Sequence, residues 1–154
     1  MPTTYTPATI IKGEELMLFD ADGHSIAYAT NHTLTITGET QDISSKDHGQ
    51  YGATSVNKIT WEITSENLYT DGAFDTLYTS MTGRAAITVY FGHHTTVTGT
   101  PADGDIAYWS QQAGQTYTGK AYITSLTVNA NNGENATFSI TLTGAGAFTK
   151  TTTV

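Results

Sequence analysis

Thr33-Leu34-Thr35-Ile36-Thr37-Gly38-Glu39-Thr40-Gln41 and Lys58-Ile59-Thr60-Trp61-Glu62-Ile63-Thr64-Ser65-Glu66 decide the fold. In the first segment the larger apolar side chains stand at even positions, in the second at odd ones. Side chains alternate across a strand, so each segment has one apolar and one polar face. Paired antiparallel, the two predict a ribbon with Leu34, Ile36, Ile59, Trp61 and Ile63 on a core face. Thr33, Thr35, Thr37, Glu39, Gln41, Lys58, Thr60, Glu62, Thr64 and Glu66 fall on the other. The stretch between them, 42–57, is polar and rich in small residues. A hairpin needs only about 2 to 5 loop residues, and structureless loops beyond about 12 to 15 are uncommon unless they are functional or disordered. The ribbon therefore carries an arm longer than its own folding requires.

Composition sets the class. The chain has 154 residues, a size expected for one domain with a real core. Threonine is abundant and charged residues make up only 13%, which suits half-solvated sheet faces. The net charge of −8 disfavours nucleic-acid binding, because an acidic surface gains no counterion release from phosphates. It disfavours anionic membranes for the same reason. With no cysteine, a disulfide framework and thiolate metal sites are excluded. Met1-Pro2-Thr3-Thr4-Tyr5 has neither a basic nor an apolar leader segment, so no signal peptide is expected. No apolar run approaches the roughly 20 residues of a membrane span.

Along the chain, residues 1–13 read as an extended N-terminal arm. Glu15 to Asp20 reads as a strand with little alternation, as if covered on both faces. Asp20-Ala21-Asp22-Gly23-His24 is a turn, and Ser25 to Thr30 returns as a short strand. After the ribbon, Phe74, Leu77, Tyr78 and Met81 recur at i, i+3, i+4, i+7 and predict one helix over 72–82. Asp71 is its expected N-cap and Gly83 its stop. Ala85 to Phe91 is a strand, 92–104 a second long loop, and Ile106, Tyr108 and Trp109 an apolar patch. Tyr117 to Val128 is a long strand whose alternation slips near Thr124-Ser125, which suggests a β-bulge. Asn131-Asn132-Gly133 is a turn. Phe138, Ile140 and Leu142 then share a core face, and Thr137, Ser139, Thr141 and Thr143 the other. Residues 149–154 form a C-terminal tail. Strands with one helix imply a single mainly β domain: an antiparallel two-sheet sandwich, or a flattened barrel, with a flanking α-helix.

Chemical motifs do not complete themselves. Gly114-Gln115-Thr116-Tyr117-Thr118-Gly119-Lys120-Ala121 lacks the Ser or Thr after its lysine and the following helix that a phosphate loop needs. Asp20-Ala21-Asp22-Gly23 lacks a calcium loop's glycine and glutamate spacing. His93-His94 has no flanking ligand at useful spacing and reads as a solvated loop pair. No nucleophile elbow and no paired carboxylates are evident. The chain is expected to be no enzyme and to carry no cofactor and no metal.

The order of elements resembles a known family. The carrying pieces are Ile43-Ser44-Ser45-Lys46-Asp47 ahead of the Trp61 strand, and Gly119-Lys120-Ala121-Tyr122-Ile123-Thr124-Ser125-Leu126 with Thr143-Gly144-Ala145-Gly146 at the close. Over about residues 12–149 the chain resembles the major tail (tail tube) protein of long-tailed bacteriophages. That resemblance implies a structural virion protein assembled in the host cytoplasm. Its hexameric rings stack into a hollow tube that passes DNA and the tape-measure protein. It implies homo-oligomer contacts, tail-terminating and tail-tip partners, DNA passing without specific binding, and no membrane.

On that reading Glu39, Gln41, Lys58, Thr60, Glu62 and Glu66 face the lumen. Ile43, Lys46, Asp47, His48, Tyr51 and Val56 lie on the arm that meets another subunit. A second reading is a carbohydrate-binding or adhesin-like β-sandwich in which Trp61, Trp109 and tyrosines form a stacking platform. Trp61's phase with Ile59 and Ile63 counts against it.

Overall fold

A computed structural model describes residues 10–26, 28–96 and 109–151, with side chains over the same spans except 95–96 and 109–115. Residues 1–9 of the expected arm, most of the 92–104 loop, Ile106, Tyr108 and residues 152–154 of the tail lie outside the described residues, as does the side chain of Trp109.

The strands are β1 (Leu16–Phe19), β2 (Ala29–Asp42), β3 (Thr54–Leu68), β4 (Ile87–Thr96), β5 (Trp109–Asn129), β6 (Thr137–Gly144) and β7 (Thr149–Thr151); the helix is α1 (Asp71–Thr82). All seven strands join one antiparallel sheet in the order β1-β4-β5-β6-β3-β2, with β7 paired to β5. The fold is mainly β with one helix, as expected, but the layers belong to one curled sheet. Its ends approach each other. The His32 ring on β2 meets the edge of Phe91 on β4 at 6.4 Å, and the Ile26 N–H donates to the Leu18 carbonyl at 3.2 Å.

The core fills the curl. Leu18, Trp61, Ile63, Leu77, Val89, Ala121, Ile123, Phe138, Ile140 and Leu142 are buried together. Leu18 and Phe19, adjacent on β1, are both buried, which accounts for the missing alternation there. Leu34, Phe74 and Met81 pack against this cluster from half-buried positions. Tyr78, in phase with Phe74, stacks on its ring at 6.2 Å but remains exposed. Two polar side chains share the core face at the base of β3. Ser65 Oγ donates to Asn67 Oδ1 at 2.9 Å, so these buried groups satisfy each other.

Trp61 is the best-fixed member. Its Nε1–H donates to the Gly146 carbonyl at 3.0 Å, and Phe148 lies against the indole at 4.6 Å. A Cβ on Gly144 would overlap the indole, and one on Gly119 would stand 2.6 Å from it. Only glycine lets the two neighbouring strands approach the ring this closely.

Several expectations need correction. Ser25 makes only a single bridge to Phe19, and the chain enters β2 at Ala29. The helix begins one residue early, with Thr70 in the N-cap position. Gly83 stays right-handed (φ −74°), and Arg84 makes the left-handed exit (φ 54°) instead. His93 and His94 are half-buried within β4, because the strand runs on past Phe91 through a bulge. The expected slip in β5 is present, as a register shift between Ile123 and Ser125.

Candidate functional site: a polar sheet face and a projecting ribbon

Pairing registers fix what shares a face. Leu34 stands opposite Ile63, Ile36 opposite Trp61, and Gly38 opposite Ile59. Thr35 pairs with Glu62, Thr37 with Thr60, and Glu39 with Lys58. The two faces of the ribbon are therefore the apolar and polar sets that alternation assigns. The polar set continues across the sheet. Glu62, Thr64 and Glu66 on β3 pair with Thr143, Thr141 and Ser139 on β6, which pair in turn with Tyr122, Ser125 and Thr127 on β5. Four strands, β2-β3-β6-β5, thus present one continuous hydroxyl-rich surface. Thr124 and Thr143 hydroxyls meet at 3.0 Å on it.

Glu39, Glu62, Glu66, Lys58 and Gln41 are exposed on this surface, and Thr60 is half-buried. A second lysine belongs to it. Lys120 is exposed, two residues before Tyr122 in β5 and opposite Thr88 of β4. Sequence reading missed it because the pairing of β5 with β6 is not visible in the β5 segment alone. The acidic excess of the face falls to three carboxylates against two lysines.

Both margins of this face are open. Among the described residues, nothing pairs with the outer edge of β2, and β4 reaches only to Ala121, leaving 122–129 of β5 without a partner on that side. Unpaired N–H and C=O groups along a strand are a template for another chain.

The ribbon also projects. β6 flanks β3 only from Glu62 onward, so residues 54–61 run free of the sheet for about 26 Å. This overturns the core placement of two residues. Ile36 is 57% exposed and Ile59 68%, because nothing among the described residues lies over the distal ribbon. Val56, 62% exposed, joins the same side, where its methyls would meet a Cβ on Gly38. A bulge between Glu39 and Thr40 keeps it in phase.

The strands shorten the expected loop from 42–57 to 43–53. Its tip is organised by short hydrogen bonds. The Ala53 N–H donates to Ser44 Oγ at 2.7 Å, and the Ser45 N–H to His48 Nδ1 at 2.9 Å. The Ser44 hydroxyl and N–H hold the Asp42 carboxyl below its ordinary pKa. Lys46, Asp47 and His48 form a single 3-10 turn, and Ile43, Tyr51, Lys46, Asp47 and His48 are all exposed.

Among the described residues no three metal-ligating side chains converge, and no helix is long and apolar enough to cross a membrane. The buried Trp61 takes the first member from the aromatic platform that a glycan-binding reading needs.

Comparison with known proteins agrees with this geometry. A family profile described as phage tail tube protein matches residues 15–150. Among solved structures, the chain is similar to one from the virion of a native gene transfer agent particle. The TM-score is 0.72 at 15% identity, over 92% of this chain and 99% of that one. It is similar to the tail of an empty gene transfer agent particle refined with C6 symmetry, at TM-score 0.67 and 16% identity, over 92% and 99%. It is similar to the SPP1 tail tube, at 0.65 and 14%, over 94% and 81%. Identities this low carry the fold alone. The chain matches none of the curated protein sequences.

Proposed function

Because the chain belongs to the phage tail tube protein family, we propose that it is the structural subunit of a hollow tail tube, built as stacked hexameric rings. The observation that carries this is the four-stranded polar face with an open edge on each side. The outer edge of β2 on one copy pairs with residues 122–129 of β5 on the next, and repetition removes every edge. Six copies would set about 24 strands side by side, a circumference of about 115 Å at the usual strand spacing. That is about 37 Å across before strand tilt widens it, room for a hydrated duplex or an extended tape-measure protein. The face turned inward carries Glu39, Gln41, Lys58, Thr60, Glu62 and Glu66, with threonine hydroxyls between them.

A conduit for DNA should not grip it. Each lysine-to-phosphate contact adds sequence-independent affinity, and a repeated tube multiplies it. The three carboxylates outweigh Lys58 and Lys120, so the wall repels the phosphate backbone and DNA passes without specific binding. Tail-terminating and tail-tip proteins would cap the stack, and assembly would take place in the host cytoplasm before the tail joins the virion.

Electron microscopy of the purified protein tests the reading. Sixfold rings or tubes with Glu39, Glu62 and Glu66 on the inner wall are expected. Monomers at all concentrations, or these residues on the outer surface, would overturn it. Replacing the three glutamates with lysine in phage that still assemble should slow DNA ejection.

A further inference from the structure

β1 and β2 end the sheet on opposite sides, and the curl brings them together without pairing them. The seam between them is held at points: the Ile26 N–H on the Leu18 carbonyl, the single bridge between Phe19 and Ser25, and the His32 ring on the edge of Phe91. Beside these points lies a cavity of about 520 Å³. Glu14, Leu16 and Met17 line it from one end of the sheet, and the root of β2, Ala29 to His32, lines it from the other. The root of β2 is therefore undercut, and the outer edge of that strand is the one that pairs with the next copy in the tube reading.

His32 occupies a seat that suits only the neutral ring. It stands opposite Ser65, on the core face. Its Nδ1 is buried, and among the described residues nothing hydrogen-bonds to it. Ser65, the hydroxyl across from it, already donates to Asn67. A neutral imidazole tolerates this with its proton on Nε2 and Nδ1 left bare. The imidazolium carries an N–H on both nitrogens, and a buried charged donor without a partner costs far more than a bare acceptor. Few charged or titratable groups surround the ring. Glu14, exposed, faces the cavity from the turn at Gly13–Glu15. On β4, His93 stands opposite Leu16, and His94 Nε2 lies 3.1 Å from the Glu14 carbonyl. β1 offers Leu16 and Met17, and β3 offers Ser65 and Asn67, none of them charged. Glu62 and Glu66 lie on the other face of the sheet.

We propose that His32 is an acid-operated latch on the lateral contact of the tube: on protonation the ring leaves Phe91 for the cavity and the Glu14 carboxyl group, the seam opens, and the root of β2 releases the neighbouring copy. The release rests on the tube reading; the opening of the seam does not. The closed seam holds the pKa of His32 at about 4 instead of 6.5. An open seam restores the ordinary value, so the ratio of open to closed chains rises about 30-fold between pH 7.5 and 5.

The Ile26 amide spans the seam and reports its opening. In the free chain its protection from hydrogen exchange, corrected for the intrinsic rate, should fall about 30-fold from pH 7.5 to 5. In His32→Phe, which keeps the contact with Phe91 and takes up no proton, protection should hold. Tubes assembled at pH 7.5 and moved to pH 5 should shed subunits, read as loss of sedimenting protein, and tubes of His32→Phe should stay whole. Glu14→Gln, an exposed change that leaves His32 in place, should move the release to lower pH, which keeps the test open even where His32→Phe does not fold. Constant protection at Ile26 in the unaltered chain, the same release from His32→Phe tubes, or release unmoved by Glu14→Gln overturns the latch. Failure of the unaltered chain to form rings or tubes at pH 7.5 sinks the tube reading and the release with it, while exchange at Ile26 still decides whether the seam opens.

Discussion

The two halves of the β2–β3 ribbon carry the same alternation and meet different fates. In the proximal half Trp61 is 3% exposed and Ile63 fully buried, under Gly144, Gly146 and Phe148. In the distal half Ile36 and Ile59, in the same phase, stand mostly in solvent. Periodicity tells which residues share a face. Whether that face is covered depends on what arrives over it, and among the described residues nothing covers the distal half. A strand pattern that outruns its own core fits the tube subunit proposed above.

Mutations can sharpen or break this contrast. The largest effect is expected at Trp61. Trp61→Ala should cost about 3–5 kcal/mol, the range for a large buried aromatic, read from the urea midpoint of the isolated chain. A surface-like loss would show that the two halves do not differ. Leu77→Ala comes next, at about 2–5 kcal/mol, because the helix closes the proximal core and Leu77 is its one buried residue.

A pH effect of somewhat smaller size belongs to His32, at the seam where the sheet ends meet. Burial lowers its pKa from 6.5 to about 4, and among the described residues its Nδ1 has no hydrogen-bond partner. The unfolded chain takes up the proton below about pH 6.5 and the folded chain does not, so stability is full above that pH. It is lost as pH falls towards 4, by up to about 3 kcal/mol. His32→Phe, which keeps the edge contact with Phe91, should flatten the slope between pH 6.5 and 4. An unchanged slope would place the titration elsewhere.

The smallest effect on the monomer is expected at Ile59→Ala, within about 0.5 kcal/mol as for other surface changes. The same variant should need more protein to form tubes. Equal loss of monomer stability at Ile59 and Trp61 would erase the contrast between the halves.

What was legible in the chain was what local pattern controls. The alternation of 33–41 and 58–66, the i, i+3, i+4, i+7 spacing of α1, the turn at Gly23 and the slip at Thr124-Ser125 are each written within a few residues. What was not legible depended on distant partners. β1 pairs with β4 across some 70 residues, and no short-range signal marks Leu16 as the partner of His93. Ser65 and Asn67 are polar and yet inside, because each completes the other's hydrogen bonds. Arg84 rather than Gly83 takes the left-handed turn, and no composition rule selects it. At the candidate site, the polar face was legible on the ribbon. Its extension to Lys120 required the β5–β6 register, and the exposure of Ile36 and Ile59 required the length of β6.

The open margins of the polar sheet have a consequence for how free subunits are kept apart. An unpaired edge as long as β2, fourteen residues, invites sticking in any register. What opposes it in the free chain is mutual repulsion between copies of net charge −8. That repulsion reaches about 10 Å at 0.1 M ionic strength and about 3 Å at 1 M. Ionic strength therefore acts as a throttle on the pool: dilute buffer holds copies beyond the reach of their edges, and added salt lets the edges find each other. Light scattering of the purified chain should rise with sodium chloride at fixed protein concentration.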